Sequence, residues 1–162
     1  MTTTETNVPD VAEDVADYDL HSNIGYLLRR AHQVGSAAFL HADDTGLSVI
    51  QFATLATLIR SGSDSQNSLG RSVGSDAATM TGVVQRLKRR GLVEIHADPV
   101  DRRMKTISIT DEGREVYERG ARASQASSEA LLAPFSPGER IMLIEMLQRM
   151  VVAEERRLAH KH

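Results

Sequence analysis

Between Ser65 and Thr110 the sequence pattern changes from helical to β-rich, in an order that few folds can accommodate. Two helical patterns come first, a short one over residues 65–74 and a longer one from Asp76 to Arg90. Two β-rich runs follow, at residues 92–96 and 104–109, and a basic loop separates them. A helix, a tight turn, a second helix and a hairpin with a basic tip predict a mainly α fold of the winged helix-turn-helix type. In such a fold the second helix enters the major groove of DNA and the hairpin loop lies against the neighbouring backbone.

The distribution of charge agrees with this interpretation although the formal net charge of the chain is −3. Residues 65–105 carry eight Lys or Arg against four Asp or Glu, a local net charge of +4. Residues 1–19 hold six acidic residues and no basic one. Because the local charge sets the electrostatic field that a phosphate backbone meets, the middle of the chain is predicted to bind DNA.

Apolar residues near both ends of the chain predict dimerisation helices around a DNA-binding lobe. Residues 24–39 repeat apolar side chains at helical spacing, and a second such face runs from Ile141 to Leu158. Faces of this kind need a covering surface, and a second copy of the chain is the simplest one. The predicted organisation is an acidic disordered tail (1–19), an N-terminal dimerisation helix (20–46), a winged helix-turn-helix lobe (47–110) and C-terminal dimerisation helices (111–162).

Capping residues predict where the helices of the lobe begin and end. Ser48 is the predicted N-cap of the second helix, and Gly74 is the predicted left-handed C-cap of the third. Ser75 is the predicted N-cap of the fourth helix, with Asp76 in its first turn, where a carboxylate complements the helix dipole. Residues 61–64 are predicted to form a turn.

The helix from Asp76 to Arg90 carries most of the side chains that are expected to touch DNA. An apolar stripe on one side leaves small or polar residues free near its beginning and cations near its end. Small residues allow a close approach to base edges, and Thr and Gln can form hydrogen bonds with them. A solvated helix face is the alternative interpretation. The predicted DNA-binding residues are Ser75, Ala77, Ala78, Thr79, Thr81, Gln85 and Arg86 near this helix, and Arg102, Arg103 and Lys105 near the hairpin loop.

Three motifs carry a family resemblance: Leu69–Val93, Asp98–Lys105 and Ser108–Gly113. The Asp-Arg-Arg of the second motif, followed by Ile-Thr-x-x-Gly in the third, is a specific combination. Together they resemble the MarR family of bacterial transcription regulators, and the similarity extends over about Leu20 to Leu158. The resemblance implies a dimeric winged helix-turn-helix protein, usually a repressor, that a small ligand or an oxidant releases from a pseudo-palindromic operator.

The same resemblance implies that the recognition helix corresponds to Asp76–Arg90 and the wing to Ala97–Lys105. Either Arg102 or Arg103 would reach the minor groove, and Asp101 would orient one of them through a salt bridge. Which arginine does so is left open. The alternative role for Asp101 and one arginine is an intramolecular brace of the hairpin.

The absence of cysteine from the sequence excludes the thiol chemistry of the family's oxidant-sensing members. The first helix is similar, over Gly25–Gln33, to members that control the catabolism of aromatic acids, nicotinate-type compounds among them. A carboxylated aromatic ligand needs an apolar slot and one or two cations or donors. In the alternative interpretation, His32 is a hydrogen-bonded packing residue, and the arginines are solvated or form ion pairs between subunits. The predicted ligand-binding residues are Arg29, Arg30, His32, Phe39, His41, Gln51 and Phe52.

Other classes of site have no support in the sequence. The histidines lack the spacing of metal ligands, and we expect no metal or other cofactor. No phosphate-binding loop or nucleophile elbow indicates an enzyme. No apolar run approaches the roughly 20 residues of a membrane span, and the acidic N-terminus does not resemble a signal peptide, so a cytoplasmic location is expected. The rival functions are a winged-helix protein–protein interaction module and a DNA-binding regulator that takes no ligand.

Overall fold

The structure, a computed structural model, describes residues 18–97 and 105–159, without the side chains of 154–156, 158 and 159. The chain divides into two units, residues 1–34 and 35–162, and the division falls inside the first α-helix. Of the predicted acidic tail, all but residues 18 and 19 lies outside the described part. The elements in chain order are α1 (Ile24–Ala42), α2 (Val49–Ser61), β1 (Ser63–Ser65), α3 (Gln66–Val73), α4 (Ala77–Arg89), β2 (Val93–Ala97), β3 (Lys105–Ile109), α5 (Asp111–Leu132) and α6 (Pro137–Ala159).

Residues 18–34, the described part of the first unit, contain a 3₁₀ turn, Leu20–Ser22, and the beginning of α1. Asp19 caps the turn, because its carboxylate accepts a hydrogen bond from the His21 backbone N–H at 2.9 Å. The side chain of Asn23 accepts from the Tyr26 N–H at 3.0 Å and so caps the start of α1. Helical structure therefore begins near Leu20, as the sequence predicts.

The core of the second unit is built around α4. The four apolar residues predicted to form its buried stripe, Met80, Val83, Val84 and Leu87, are all at most 1% exposed. They pack in one cluster with leucines of α2 and α3 and with residues of β2 and β3. Burying an aliphatic side chain of this size contributes about 1.5–3 kcal/mol, so this stripe strongly restricts how α4 can rotate. The other members of the cluster are Leu47, Leu55, Leu58, Leu69, Leu92, Val93, Ile107 and Ile109.

A three-stranded antiparallel sheet, in the order β1-β3-β2, covers one side of this core. β2 and β3 pair in antiparallel register, Val93 with Ile109 and Ala97 with Lys105, which confirms the two predicted strands of the hairpin. Residues 98–104 of the predicted wing lie outside the described residues. The predicted turn at residues 61–64 is wrong in part, since residues 63–65 form β1 and pair with residues 106–108 of β3. The reason is tertiary: the free edge of β3 offers backbone groups to any extended segment beside it. The short Ser-Asp-Ser stretch takes that position.

Two of the predicted caps are present in the second unit. The Ser48 side chain accepts from the Gln51 N–H, and the Gln51 side chain accepts from the Ser48 N–H at 2.8 Å, which completes a capping box. Gly74 has φ +67° and ends α3 in the left-handed conformation. Glycine adopts this conformation without the steric penalty of a Cβ atom, which explains the stop after Val73.

The first turn of α5 approaches Leu92 and Ile109 so closely that only glycine fits at position 113. A Cβ atom there would overlap the carbonyl oxygen of Leu92 and lie 2.8 Å from Cγ1 of Ile109. Thr110 supports the same junction, because its hydroxyl donates to the carbonyl of Gly91 at 2.7 Å and accepts from the Gly113 N–H at 3.0 Å. This junction joins α5 to the hairpin.

We predict that Gly113→Ala destabilises the protein by more than the roughly 1–3 kcal/mol typical of an overpacked core, because the added methyl group meets backbone. The matched control is Gly138→Ala in α6, where a Cβ atom has nothing within 4 Å. The control should be neutral or slightly stabilising, since alanine favours a helix over glycine by about 1 kcal/mol. Urea unfolding followed by circular dichroism measures both. Equal midpoints for the two variants would contradict the close approach.

Candidate nucleic-acid interface

The start of α4 is set by Asp76 and not, as predicted, by Ser75. One carboxylate oxygen of Asp76 accepts from the Thr79 N–H at 2.8 Å, and the other accepts from the Thr79 hydroxyl at 2.8 Å. These hydrogen bonds to Thr79 hold the pKa of Asp76 below its usual value. Ser75 is instead part of the C-terminal cap of α3, because its N–H donates to the Gly70 carbonyl at 2.8 Å. The Ser75 hydroxyl donates to the Asp76 carbonyl at 3.4 Å, and the Thr79 N–H at the start of α4 is bound by the Asp76 carboxylate instead.

The face of α4 opposite its buried stripe is open to solvent. Thr81 is held in place on this face, since its hydroxyl donates to the Ala77 carbonyl and accepts from Nε2 of Gln66, both at 2.8 Å. Sequence analysis did not single out Gln66, which connects α3 to α4 beside the surface expected to touch bases. The predicted contact residues of α4 that are exposed are Ala77, Ala78, Thr79, Thr81, Gln85 and Arg86, while Ser75 is half-buried.

A cleft of about 240 Å³ lies between the second half of α4 and the wing strands. Its charged side chains include Lys88 and Lys105. His96 also lines the cleft, and its Nε2 lies 3.2 Å from a carboxylate oxygen of Glu94. Lys88, one of the cations noted near the end of this helix, and His96 are not among the predicted DNA-binding residues. The signal for Lys88 was present in the sequence, because it follows Gln85 by three residues and so shares its side of the helix. The full lining is Gln85, Lys88, Ile95, His96, Ala97 and Lys105.

Arg90 behaves differently from the other cations near the end of α4. Its two terminal nitrogens donate to the carbonyl oxygens of Thr45 and Gly46, at 2.8 Å and 3.2 Å respectively. Arg90 is one of the eight cations that give residues 65–105 their local net charge of +4. In the structure its guanidinium is bonded to the turn between α1 and α2.

The predicted contacts at the wing tip, Arg102 and Arg103, lie outside the described residues, as does Asp101. The described strands end at Ala97 and Lys105, which pair with each other in the register of the hairpin. The roles of Asp101, Arg102 and Arg103 therefore stay predictions.

In the first unit, the three predicted ligand-binding residues Arg29, Arg30 and His32 are exposed. The guanidinium of Arg29 lies over the ring of Tyr26, 5.3 Å from its centroid. This distance is within the range of a cation–π contact. Arg29 is thus partly committed to its own helix.

In the second unit, two of the predicted ligand-binding residues form an aromatic row with Tyr117. The ring centroids of Phe39 and Phe52 are 5.3 Å apart, and Phe52 stacks on Tyr117 at 5.7 Å. Phe39 is buried, His41 is exposed, and Gln51 is buried with its carbonyl oxygen used by the Ser48 cap. Tyr117, on α5, was not predicted.

Within residues 18–97 and 105–159, no group of three or more His, Asp or Glu is arranged to hold a metal ion. The helices of that same part of the chain include none that is long and apolar enough to cross a membrane.

Three comparisons place these features among known proteins. The sequence profile of the MarR family matches residues 45–104. The HTH-type transcriptional repressor NicR of Pseudomonas putida is 35% identical over 143 residues, which cover 88% of this chain and 90% of that protein. The crystal structure of a probable transcriptional regulator from Pseudomonas aeruginosa is 39% identical, with a TM-score of 0.78, over 82% of this chain and 99% of that one. Bordetella bronchiseptica BpsR, whose DNA binding is regulated by 6-hydroxynicotinic acid, is 31% identical with a TM-score of 0.78, over 83% and 96% of the two chains.

We predict that Asp76→Ala frays the first turn of α4 and weakens DNA binding, whereas Asp76→Asn keeps an acceptor for the Thr79 N–H. Because the folded-state pKa of Asp76 is lowered, its ionised form stabilises the fold above the unfolded-state pKa of about 3.9. That stabilisation is lost as the pH falls through the folded-state pKa. Urea midpoints near neutral pH and near pH 3 should therefore show the parent losing its advantage over Asp76→Asn in acid. An alanine variant as stable as the parent at neutral pH would contradict the cap.

Proposed function

This chain belongs to the MarR family, and from that premise we propose that it is a dimeric, ligand-responsive transcriptional repressor of the winged helix-turn-helix type. The observation that carries the proposal is the exposed polar face of α4, next to a cationic cleft, on a helix whose other face is locked in the core. Its relative NicR is a transcriptional repressor. We also propose a cytoplasmic location, where such a regulator meets DNA.

The cleft beside α4 fits the path of a DNA backbone. If α4 lies in a major groove and the wing contacts the adjacent minor groove, the strand that separates the two grooves must pass between them. Lys88 and Lys105 line the space between α4 and the wing, where they would neutralise phosphates of that strand. Thr81 and Gln85, on the same exposed face of α4, are the proposed readers of base edges. Arg102 and Arg103 are proposed to extend the contact at the wing.

A homodimer would cover the apolar side chains that each chain leaves in water. On α6, Ile141 is 61% and Val151 57% exposed, and Ile144, Leu147 and Met150 of the same predicted face are each at least 40% exposed. Side chains of this size seldom form a large patch on a monomer unless the patch binds a partner. Two copies related by a twofold axis would read half-sites about 10 base pairs apart in a pseudo-palindromic operator.

A small aromatic acid is the proposed effector. The relative BpsR is regulated by such an acid, 6-hydroxynicotinic acid. We propose Arg29, Arg30 and His32 as residues that bind a carboxylate. As a separate proposal, Phe39 and Phe52 of the aromatic row offer their surface to an aromatic ring. His41 and Gln51 remain candidates. A weakening of operator binding by about a hundredfold needs a coupling free energy of roughly 2.7 kcal/mol.

The rival functions predict different responses of DNA affinity to salt and to aromatic acids. A protein–protein module would show no steep dependence of DNA affinity on ionic strength, and a regulator without a ligand would show no response to any aromatic acid. The cations of the cleft favour DNA over a neutral protein partner.

We predict that Lys88→Ala and Lys105→Ala each weaken binding to operator and random duplexes by a similar factor. Each should also reduce the magnitude of the slope of log affinity against log salt by about 0.9, the contribution of one phosphate contact. By contrast, Gln85→Ala should change sequence preference, at about 1–3 kcal/mol for a lost base contact. Fluorescence anisotropy at several salt concentrations measures these effects.

The matched control for the lysines is Arg119→Ala on α5, which removes an equal charge from an exposed ion pair with Asp44. It should leave the salt slope unchanged. Unchanged slopes for both lysine variants would contradict the proposed path of the backbone.

We predict that Arg30→Ala and His32→Ala keep operator affinity and lose much of the response to an aromatic acid. The acids, with 6-hydroxynicotinic acid among them, are first ranked by the rise in melting temperature of the parent protein and then tested for release of bound operator. Gln33→Ala, an exposed neighbour in the same helix, is the control. If both variants respond as the parent does, the carboxylate is bound elsewhere; if no acid raises the melting temperature, the effector class is wrong.

A further inference from the structure

The guanidinium of Arg90 is hydrogen-bonded to two residues that precede it by 44 and 45 positions in the sequence. It follows the last residue of α4 and donates to the carbonyl oxygens of Thr45 at 2.8 Å and Gly46 at 3.2 Å. A cation at this end of a helix commonly interacts with the helix's own last carbonyls. Arg90 reaches instead to the turn between α1 and α2, so it ties the end of the recognition helix to another element.

The turn that accepts these bonds is internally braced, so a movement of the turn would be passed on rather than absorbed. One carboxylate oxygen of Asp43 accepts from the Thr45 hydroxyl at 2.6 Å, and the other accepts from the Leu47 N–H at 3.0 Å. The Asp43 N–H donates to the Phe39 carbonyl at 2.9 Å, which continues the last turn of α1. Leu47 is fully buried and anchors the far end of the turn in the core.

The helix end that Arg90 holds has its own fixed geometry. The Arg90 N–H donates to the Arg86 carbonyl at 3.2 Å, and the Leu92 N–H donates back to Leu87 at 3.0 Å across Gly91, whose φ is +74°. A displacement of the guanidinium therefore acts on the last turn of α4 and on the beginning of β2.

We propose that Arg90 is a positioning residue for DNA recognition. It holds α4 in its orientation relative to the α1–α2 turn, so a change in the conformation of the turn changes the affinity for the operator. The proposal rests on the proposed function as a DNA-binding regulator. Each terminal nitrogen of Arg90 donates one hydrogen bond to a protein carbonyl, and the proposal assigns this side chain no contact with phosphate. Its removal should therefore lower the preference for operator over random DNA, because specific contacts need α4 in register and phosphate contacts are more tolerant.

The test compares Arg90→Ala with Arg89→Ala, which removes the same charge from the exposed neighbour. An operator selected from random duplexes and a scrambled duplex serve as probes, and the readout is the ratio of the two affinities together with the salt slope. Arg90→Ala should lower the ratio by about tenfold, equivalent to about 1.4 kcal/mol, with an unchanged salt slope. Arg89→Ala should leave the ratio unchanged. Arg90→Lys replaces the forked guanidinium by a single ammonium group, so its affinity ratio should lie between those of the parent and the alanine variant.

A second pair of variants tests the route through the turn. Asp43→Asn leaves one acceptor where the carboxylate has two, and so loosens the brace at a site on the turn. It should lower the operator ratio in the parent and have no further effect in the Arg90→Ala background, because both changes break the same connection. Thermal melts confirm that each variant is folded.

Additive effects of the two substitutions, or an Arg90→Ala ratio equal to that of Arg89→Ala, would overturn the role of Arg90 while leaving the proposed function intact. A parent protein that selects no operator from the random duplexes would overturn the proposed function instead.

Discussion

The apolar stripe of α4, formed by Met80, Val83, Val84 and Leu87, is buried against α2, α3 and the sheet, and the DNA-facing surface depends on this packing. A helix turns by about 100° per residue, so a slip of one position would move these side chains towards water. At about 1.5–3 kcal/mol for each side chain, that slip would cost as much as a small domain's whole stability. The exposed face with Thr81 and Gln85 is therefore presented rigidly.

Contacts at both ends of α4 complete its placement. Asp76 caps the beginning, and Arg90 ties the end to the carbonyls of Thr45 and Gly46. The two charges have opposite signs and follow the helix dipole, negative at the start and positive at the end. Lys88 lines the cleft, whereas Arg90 is hydrogen-bonded to the turn. Recognition and positioning are thus divided between neighbouring cations of one helix turn.

The aromatic row beside α2 depends on a second close approach of α5. A Cβ atom at Gly120 would lie 2.9 Å from Cδ2 of Phe52, so glycine at this position lets the ring lie flat between the helices and stack on Tyr117. Phe39, in contact with Phe52, belongs to the last turns of α1, directly before the turn that Arg90 holds. The proposed ring-binding residues therefore lie on the two helices that this turn connects.

The sequence by itself determined the helices, the hairpin and the buried stripe of α4, because the period of apolar residues reports which side of an element is buried. It also identified Ser48 and Gly74 as caps, since those signals act within four residues. The cap of α4 is equally local, since Asp76 binds Thr79 three residues on, and the sequence offered two adjacent residues of capping type, Ser75 and Asp76. Only the tertiary structure decided that residues 63–65 add a strand to β3 and that Gln66 supports Thr81. The role of Arg90 was hidden for the same reason: its partners lie 44 and 45 residues away, and local spacing carries no information about which carbonyls the folded chain brings to a cation.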